Sequence, residues 1–251
     1  MSGGLLGKRV AGMATVFGVC AALVGCSGAP VDERPVVRIA PAAQPSVAIP
    51  LGQFLPSAQE LSATLGTGPN GLMGQLVEGD DDMLLRSVGD AEATPVDCVS
   101  TAYRLQKVVY DSGPVRSVTS SSWAGGDFGS PPVLSFFGIV QMASAVDAQE
   151  FFDSITEKWR RCNGQTVALQ HHGQGADELS RIGDVAFADR MVSATVLHAS
   201  GGTGSASVSR ALGVAGDCIV DVEITDPRSA GDPRPATGVA ELILDKISSQ
   251  R

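Results

Sequence analysis

An uncharged apolar run near the start of this 251-residue chain restricts what the remainder can become. Lys8 and Arg9 precede the run, and small Gly25 ends it just before Cys26. A positive segment, a short apolar segment and a small residue before a cut are the parts of a secretory signal. The run is shorter than the roughly 20 apolar residues that cross a bilayer comfortably. Residues 1–25 are therefore predicted to be a signal peptide, and the chain after them to fold outside the cytoplasm.

The region before the cut resembles the lipobox of bacterial lipoproteins. Leu23 lies three residues before Cys26, with Gly25 next to the cysteine, whereas Cys20 fits poorly because bulky Val19 precedes it. In that family the cysteine receives a diacylglyceryl group and becomes the first residue of the mature protein. Two or more acyl chains give stable anchoring. The resemblance implies a lipid anchor at Cys26 on the extracytoplasmic face of the cell membrane, with a plain secreted protein and an uncleaved anchor as alternatives.

Charge and composition restrict the partners and the number of domains. Without the signal the formal charge moves from −9 to −11, because two basic residues and no acidic residue are removed. An acidic chain without a basic stripe is not expected to bind nucleic acid, which needs Lys and Arg against phosphate. Residues 26–50 are rich in proline and alanine and are predicted to be a semi-rigid tether. Residues 51–251 suit one folded domain with a sizeable core.

Three cysteines remain after the lipobox: Cys98, Cys162 and Cys218. Export favours disulfides, and an odd number allows one internal pair at most. The count leaves all three pairings open. Cys218 alternates with apolar residues of a predicted strand, which favours a small buried thiol over a reactive one.

Hydrophobic periodicity predicts an α+β fold on a largely antiparallel sheet. Ser57 begins a capped helix, Asp147 is predicted to cap a long helix over 148–161, and a last amphipathic helix directs Val239, Leu242, Ile243 and Ile247 inward. Strands are expected at 108–110, 115–119, 133–142, 166–170, 185–188 and 191–198, and a hairpin at 207–214 and 218–224. Residues 66–92 and 120–132 have the composition of loops.

No metal or cofactor site is expected. His171 and His172 are adjacent, so on a strand they point to opposite faces and cannot easily share an ion. The acidic run 78–82 lacks the ligand spacing of a calcium loop and reads as a solvated surface. Trp123, an aromatic residue in a predicted Gly/Ser-rich loop, is the one candidate binding contact, with a role covering the edge of the core as its alternative.

The stretch from Phe151 to Val167 carries a resemblance to a known family. Its W-R-R-C-x-G-x-T motif, together with Pro95, Cys98 and a downstream Tyr110, resembles the extracellular sensor domain of PknH-type mycobacterial receptor kinases, which also occurs in stand-alone mycobacterial lipoproteins. The resemblance implies a twisted antiparallel sheet flanked by helices, with a groove for an unidentified ligand.

The resemblance also implies specific residue roles. The family's first disulfide would join Cys98 and Cys162, whereas its second falls near Val208 and Thr225, which cannot form one. We therefore expect a non-enzymatic, lipid-anchored sensor-like domain that binds a small molecule or an envelope component. The alternatives are an envelope lipoprotein acting through a protein partner, and an envelope hydrolase with a serine, a histidine and a carboxylate converging in a cleft.

Overall fold

The computed structural model describes residues 49–68, 70–89, 92–126, 129–170, 178–200, 206–229 and 231–251. The predicted signal peptide, the lipobox Cys26, nearly all of the tether, and the pair His171 and His172 lie outside the described residues. Within the described ranges, no helix is both long and apolar enough to cross a membrane.

One sheet of ten strands forms the centre of the domain, and every strand pair described in it is antiparallel. The strand order is β1-β4-β5-β10-β9-β8-β7-β6-β3, and β2 also pairs with β4. The strands are β1 (Gly71–Met73), β2 (Val77–Gly79), β3 (Ala93–Thr94), β4 (Val115–Gly125), β5 (Val133–Met142), β6 (Thr166–Leu169), β7 (Glu178–Ala188), β8 (Met191–Ser200), β9 (Ala206–Ala215) and β10 (Cys218–Thr225).

Within the part of the chain that the structure describes, five α-helices flank this sheet, which confirms the predicted α+β class. They are α1 (Ala58–Thr64), α2 (Val99–Ala102), α3 (Lys107–Tyr110), α4 (Ala145–Cys162) and α5 (Arg234–Gln250). A first core lies between one face of the sheet and α4, with α2 and α3 beside it. A second core lies between the other face and α5. Because successive strand residues point to opposite faces, Ile219 enters the first core and Val220 the second.

Helix α4 packs through a continuous apolar stripe, as its sequence predicts. Phe152, Ile155 and Trp159 are nearly inaccessible to solvent in the first core. The predicted cap was wrong: Ser144, and not Asp147, occupies the capping position and accepts from the backbone N–H of Asp147. The helix therefore begins one turn earlier than predicted.

The structure contradicts two predictions of local secondary structure. The predicted strand at 108–110 is the short helix α3, and the predicted loop 120–132 instead continues β4 as far as Gly125. The serines of β4 have little strand preference, but β4 lies between β5 on one side and β1 and β2 on the other, so its backbone groups find partners along both edges. The polar stretch 66–92 likewise contains β1 and β2, which pair with β4.

The inward face of α5 differs from the prediction at one position. Leu242, which was predicted to point inward, is only partly buried, whereas Leu244 is fully buried.

The predicted cysteine arrangement is confirmed. Cys98 and Cys162 form a disulfide that joins the segment before α2 to the end of α4. Cys218 is a free thiol buried in the second core. The disulfide therefore fixes α2, and the residues that follow it, against the first-core side of the sheet.

Candidate ligand groove

A groove opens on the first-core face of the sheet, beside the region that α4 covers. Its walls come from strands β4, β5, β7, β8 and β10 and from the segments 85–88 and 103–106. Ser122, Phe136, Glu223 and Arg210 follow one another in register across β4, β5, β10 and β9. The floor of the groove therefore changes across the sheet, from Ser122 and Phe136 on one side to the charged Glu223 and Arg210 on the other.

A fully buried ion pair lies beneath this charged region. Arg210 Nη1 lies 2.7 Å from Asp221 Oδ1, and the two side chains are 0% and 3% exposed. The guanidinium also donates to the backbone carbonyls of Ser100, Thr101 and Tyr103. A buried charge is tolerated only when it is paired and its remaining donors are satisfied. Arg210 therefore holds the end of α2 to the sheet.

Asp221 holds the next part of the same segment. Its Oδ2 accepts from the backbone N–H of Leu105 at 2.8 Å and from the Tyr110 hydroxyl at 3.3 Å. Leu105 adopts a φ of 48°, a left-handed conformation that is unfavourable for a leucine. Gly138 leaves room for it, since a Cβ there would lie 2.8 Å from Leu105 Cδ1. These contacts place Tyr103 and Arg104 over the groove.

The groove contains two neighbouring cavities, of 430 and 160 Å³. Leu85 and Arg104 line both, so Arg104 stands between them. The larger volume lies within the range of about 300–1,000 Å³ typical of small-molecule sites. Besides Arg104, the residues of the larger cavity that bear hydrogen-bonding side chains are Ser87, Tyr103, Gln106, Glu178, His198 and Glu223.

Four of the polar side chains in and beneath the larger cavity form one network. Glu178 Oε1 accepts from the Tyr103 hydroxyl at 3.1 Å and lies 3.0 Å from His198 Nδ1. The Ser180 hydroxyl lies 2.8 Å from both Tyr103 and His198 Nδ1. Burial raises the pKa of Tyr103 well above its ordinary value, with the Glu178 charge acting in the same direction. Tyr103 therefore stays a neutral hydrogen-bond donor at physiological pH.

Ser180, His198 and Glu178 have the composition of a hydrolytic triad but not its geometry. In a triad, one imidazole nitrogen faces the serine and the other faces the carboxylate. Here both partners lie on Nδ1, and Ser180 is fully buried. The arrangement cannot relay a proton from the serine through the ring, so it does not favour the hydrolase alternative.

Arg104 links the sheet floor to the groove wall. Its Nη1 lies 2.5 Å from Glu223 Oε1, and its guanidinium lies 3.8 Å from the centre of the Phe136 ring. Both charged side chains are only partly exposed, at 25% and 11%. The stacked guanidinium is therefore held in a defined position.

Trp123, the binding contact predicted from the sequence, does not line this groove, and neither does Cys218. Trp123 was predicted to lie in a loop, as a binding contact or as cover for the edge of the core, but it lies in β4, is 1% exposed and packs in the second core. Its ring lies against Gly71 and Gly125, where an added Cβ would come within 2.1 Å of it. We therefore do not retain it as a contact. Cys218 is equally inaccessible, and burial raises the pKa of its thiol to about 12, which disfavours the reactive thiolate.

One sequence signal for the groove was overlooked. Arg210 is the charged residue of β9, and Asp221 and Glu223 are the charged residues of β10; the intervening turn makes these strands a hairpin that brings Arg210 close to Asp221. Opposite charges on neighbouring buried strands indicate a buried pair. Tyr103, Arg104, Glu178 and His198 carried no such signal, because they are far apart in the chain.

Two other cavities are less suited to a ligand. One, of 310 Å³, lies between α3 and α4, where Asp97 and Lys158 face each other at 3.9 Å. The other, of 390 Å³, lies near the start of α5, and its charged groups form ion pairs between sequence neighbours. Neither is built over a buried charged floor. Within the described ranges, no group of three or more His, Cys, Asp or Glu side chains could hold a metal ion.

The segment 72–85, which contains β1 and β2, carries several exposed apolar side chains and is called the apolar edge. Six large apolar side chains here are at least 36% exposed, and Leu72 reaches 80%. They are Leu72, Met73, Leu76, Val77, Met83 and Leu85. Exposed apolar side chains near one edge of a sheet are candidates for an interaction surface. The acidic run 78–82 lies within this edge, where Asp81 pairs with Lys107 and Asp82 with Arg86.

The fold is an antiparallel sheet covered by helices on both faces, and comparisons with known proteins identify its family. The family model described as PknH-like extracellular domain matches residues 47–247, so this chain belongs to that family. The crystal structure of the extracellular domain of PknH from Mycobacterium tuberculosis is similar, with a TM-score of 0.65 and 20% identity over 79% of this chain and 95% of that one.

Two further comparisons add little. An uncharacterised protein from Mycobacterium smegmatis matches with a TM-score of 0.38 and 10% identity, over 76% of this chain and 97% of that one. No curated protein matches the sequence. Membership of a family of extracellular domains implies an extracytoplasmic location.

Proposed function

We propose that this chain is a lipid-anchored extracytoplasmic sensor-like domain that binds a small molecule or an envelope component in the groove. The observation that carries the proposal is the arrangement of Tyr103 and Arg104, held over the cavity by the buried pair Arg210 and Asp221. A binding site works best when its polar groups are held in place before the ligand arrives. The 430 Å³ cavity has this property.

Native mass spectrometry of the full chain, extracted in detergent from its host membrane, tests ligand binding. We expect an adduct of defined mass in the unmodified protein. Ser87→Trp, which places an indole at the cavity rim, should abolish it, whereas Ser154→Trp on the exposed face of α4 should retain it. Absence of any adduct, or an adduct that survives Ser87→Trp, would count against groove binding.

The anchor is tested separately. Cys26→Ala removes the thiol that would carry the lipid, so the protein should move from the membrane fraction to the soluble extracytoplasmic fraction. Cys20→Ala is the matched control and should leave the protein in the membrane. If Cys26→Ala still requires detergent for extraction, the lipid anchor is refuted.

The apolar edge supports a second candidate function, in which an envelope protein binds this domain. A photo-cross-linking residue at position 72 should then join the chain to one partner of discrete mass. The same cross-linking residue at position 146 is the control. Val146 is 66% exposed and therefore accessible like Leu72, but it lies on α4 and not in the apolar edge. Equal cross-linking at both positions would indicate nonspecific contact.

A further inference from the structure

We infer that the groove is built for a neutral, polyhydroxylated ligand, namely a saccharide of one or two rings. The inference rests on the proposed function, because it names the ligand class of the same groove. It depends on three features of the lining: the balance of charge, the pattern of donors and acceptors, and an aromatic and aliphatic surface beside them.

The charge balance disfavours an anionic ligand. Two carboxylates, Glu178 and Glu223, face the larger cavity against one guanidinium, Arg104. Arg104 is already paired with Glu223 and stacked on Phe136, so a phosphate or carboxylate ligand would have to break that pair to be bound. It would also approach two partly buried negative charges, whose repulsion is weakly screened.

An organic cation is disfavoured by the position of the same arginine. Arg104 lines both cavities, so a ligand that occupies either of them lies next to a fixed positive charge. Glu178 also lies against His198, which becomes positively charged when it is protonated. A neutral ligand avoids repulsion from either sign of charge.

The donors and acceptors match hydroxyl groups. Among the described residues, the hydrogen bonds of Glu178 and Glu223 use Oε1, and Arg104 binds Glu223 through Nη1. The second oxygen of each carboxylate can only accept, and the remaining guanidinium N–H groups can only donate. A hydroxyl group does both, so neighbouring ring hydroxyls can satisfy such adjacent groups together. Ser120 and Ser122 add hydroxyls in the smaller cavity.

The apolar parts of the lining suit the C–H face of a sugar ring. Leu85, Val88 and Leu169 line the larger cavity, and Phe136 lies on the sheet floor of the smaller one with the Arg104 guanidinium over one face of its ring. Leu85 is 36% exposed and stands where the two cavities meet. An aromatic and aliphatic surface next to a few directed polar groups is the usual composition of a small-molecule site.

The test is calorimetric titration of the full chain in a non-glycosidic detergent. The probes are methyl glycosides of glucose, galactose, mannose and arabinose, and the disaccharides maltose and cellobiose. Glucose phosphate, glucuronate and glucosamine are the charged counterparts. We expect at least one neutral probe to bind, and its charged counterparts to bind at least tenfold more weakly.

Variants connect that result to the groove. Glu178→Gln removes the charge and one acceptor, so it should weaken binding of the neutral probe by about tenfold, the effect of losing a hydrogen bond to a charged group. Because the negative charge is gone, the variant should also bind glucuronate more tightly than the unmodified protein does. Glu157→Gln, on the exposed face of α4, is the control and should change neither affinity. Circular dichroism and the midpoint of thermal unfolding should show that both variants remain folded.

The outcomes separate this inference from the proposed function. If the groove-dependent adduct is present but every neutral probe fails to bind, or the anionic probes bind better, the saccharide inference is overturned and the proposed function stands. If neither adduct nor probe binding is found, both fall. When a neutral probe binds, presenting it as a lipid headgroup on vesicles distinguishes a membrane glycolipid from a soluble sugar: tighter binding to the vesicles indicates the glycolipid.

Discussion

At the scale of single residues, Arg210 and Asp221 organise more of the domain than any other pair described. They lie on adjacent central strands, and their hydrogen bonds extend to α2, to Leu105 and to Tyr110. Burial and the Asp221 charge raise the pKa of Tyr110 well above its ordinary value, so its hydroxyl remains a donor. The loss of one partner would leave several buried groups unsatisfied.

Arg210→Met is therefore expected to lower the free energy of unfolding by about 3–5 kcal/mol, because it leaves Asp221 as a buried, unpaired charge. Urea denaturation measures this. Arg210→Met combined with Asp221→Asn should be less destabilised than Arg210→Met alone, since neither charge remains. The control is Arg160→Met on the surface of α4, which should change the value by less than about 0.5 kcal/mol. Equal effects at positions 160 and 210 would contradict this account.

Cys218 gives a prediction for alkaline pH. Burial raises the pKa of the folded thiol to about 12 from 9.0, assisted by the neighbouring Asp217 and opposed by Arg251. Above pH 9 the unfolded thiol releases its proton while the folded one retains it. Stability conferred by the protonated thiol is thus complete below pH 9 and is lost as the pH rises toward 12.

The contribution of Cys218 should reduce the free energy of unfolding by up to about 1.4 kcal/mol per pH unit between pH 9 and 12. Cys218→Ala removes it, so the variant should show a flatter dependence on pH in that range. Denaturation series at increasing pH measure both slopes, and non-reducing electrophoresis checks that the disulfide stays intact. Parallel curves would mean that Cys218 does not titrate as described.

At the scale of elements, the outcome of each prediction depended on where the element obtains its stability. Helix α4 and strand β5 were predicted well, because a strong apolar pattern decides both. The second half of β4 and the short helix α3 were mispredicted, since contacts with distant parts of the chain override the weak local preferences there. The start of α4 is a different case, because its cap is local: Ser144, three residues before the predicted cap, accepts from the backbone N–H of Asp147.

Ser144→Ala tests that cap. The Ser144 hydroxyl oxygen accepts from the backbone N–H of Asp147 at 3.1 Å, so its removal leaves a helix-end donor without its partner. We expect a loss of about 1 kcal/mol in the free energy of unfolding, measured by denaturation. The control is Ser154→Ala, at an exposed position within the same helix, where alanine should be neutral or slightly stabilising. A Ser144→Ala variant as stable as the control would argue against capping at this position.

At the scale of the whole molecule, the groove exists because the sheet brings distant segments together. Tyr103 and Glu178 are 75 positions apart, and Arg104 and Glu223 are 119 positions apart. The disulfide between Cys98 and Cys162 fixes the start of the segment that supplies Tyr103 and Arg104. Global stability and the integrity of the groove are therefore linked.

The double variant Cys98→Ser with Cys162→Ser should lower the free energy of unfolding by about 4 kcal/mol, because a bond across 64 positions restricts the unfolded chain strongly. Denaturation of the oxidised protein and of the double variant gives the difference. Since both cysteines are buried, Cys218→Ser serves as a control for placing one hydroxyl in a core. A loss no larger than that of Cys218→Ser would show that the disulfide does not restrict the unfolded state as this account requires.

The amino-acid sequence by itself determined the α+β class, the long helix, the central hairpin and the burial of Cys218, because periodic apolar residues specify which face turns inward. Its W-R-R-C-x-G-x-T motif also indicated the family and, through it, the disulfide. Only the tertiary structure decided the groove. Tyr103, Arg104, Glu178 and His198 have no local pattern, since their proximity arises from strand order and from the buried pair beneath them. Trp123 illustrates the converse: its Gly- and Ser-rich neighbours suggested a loop, but pairing with β5 made this segment a strand and placed the indole in the second core.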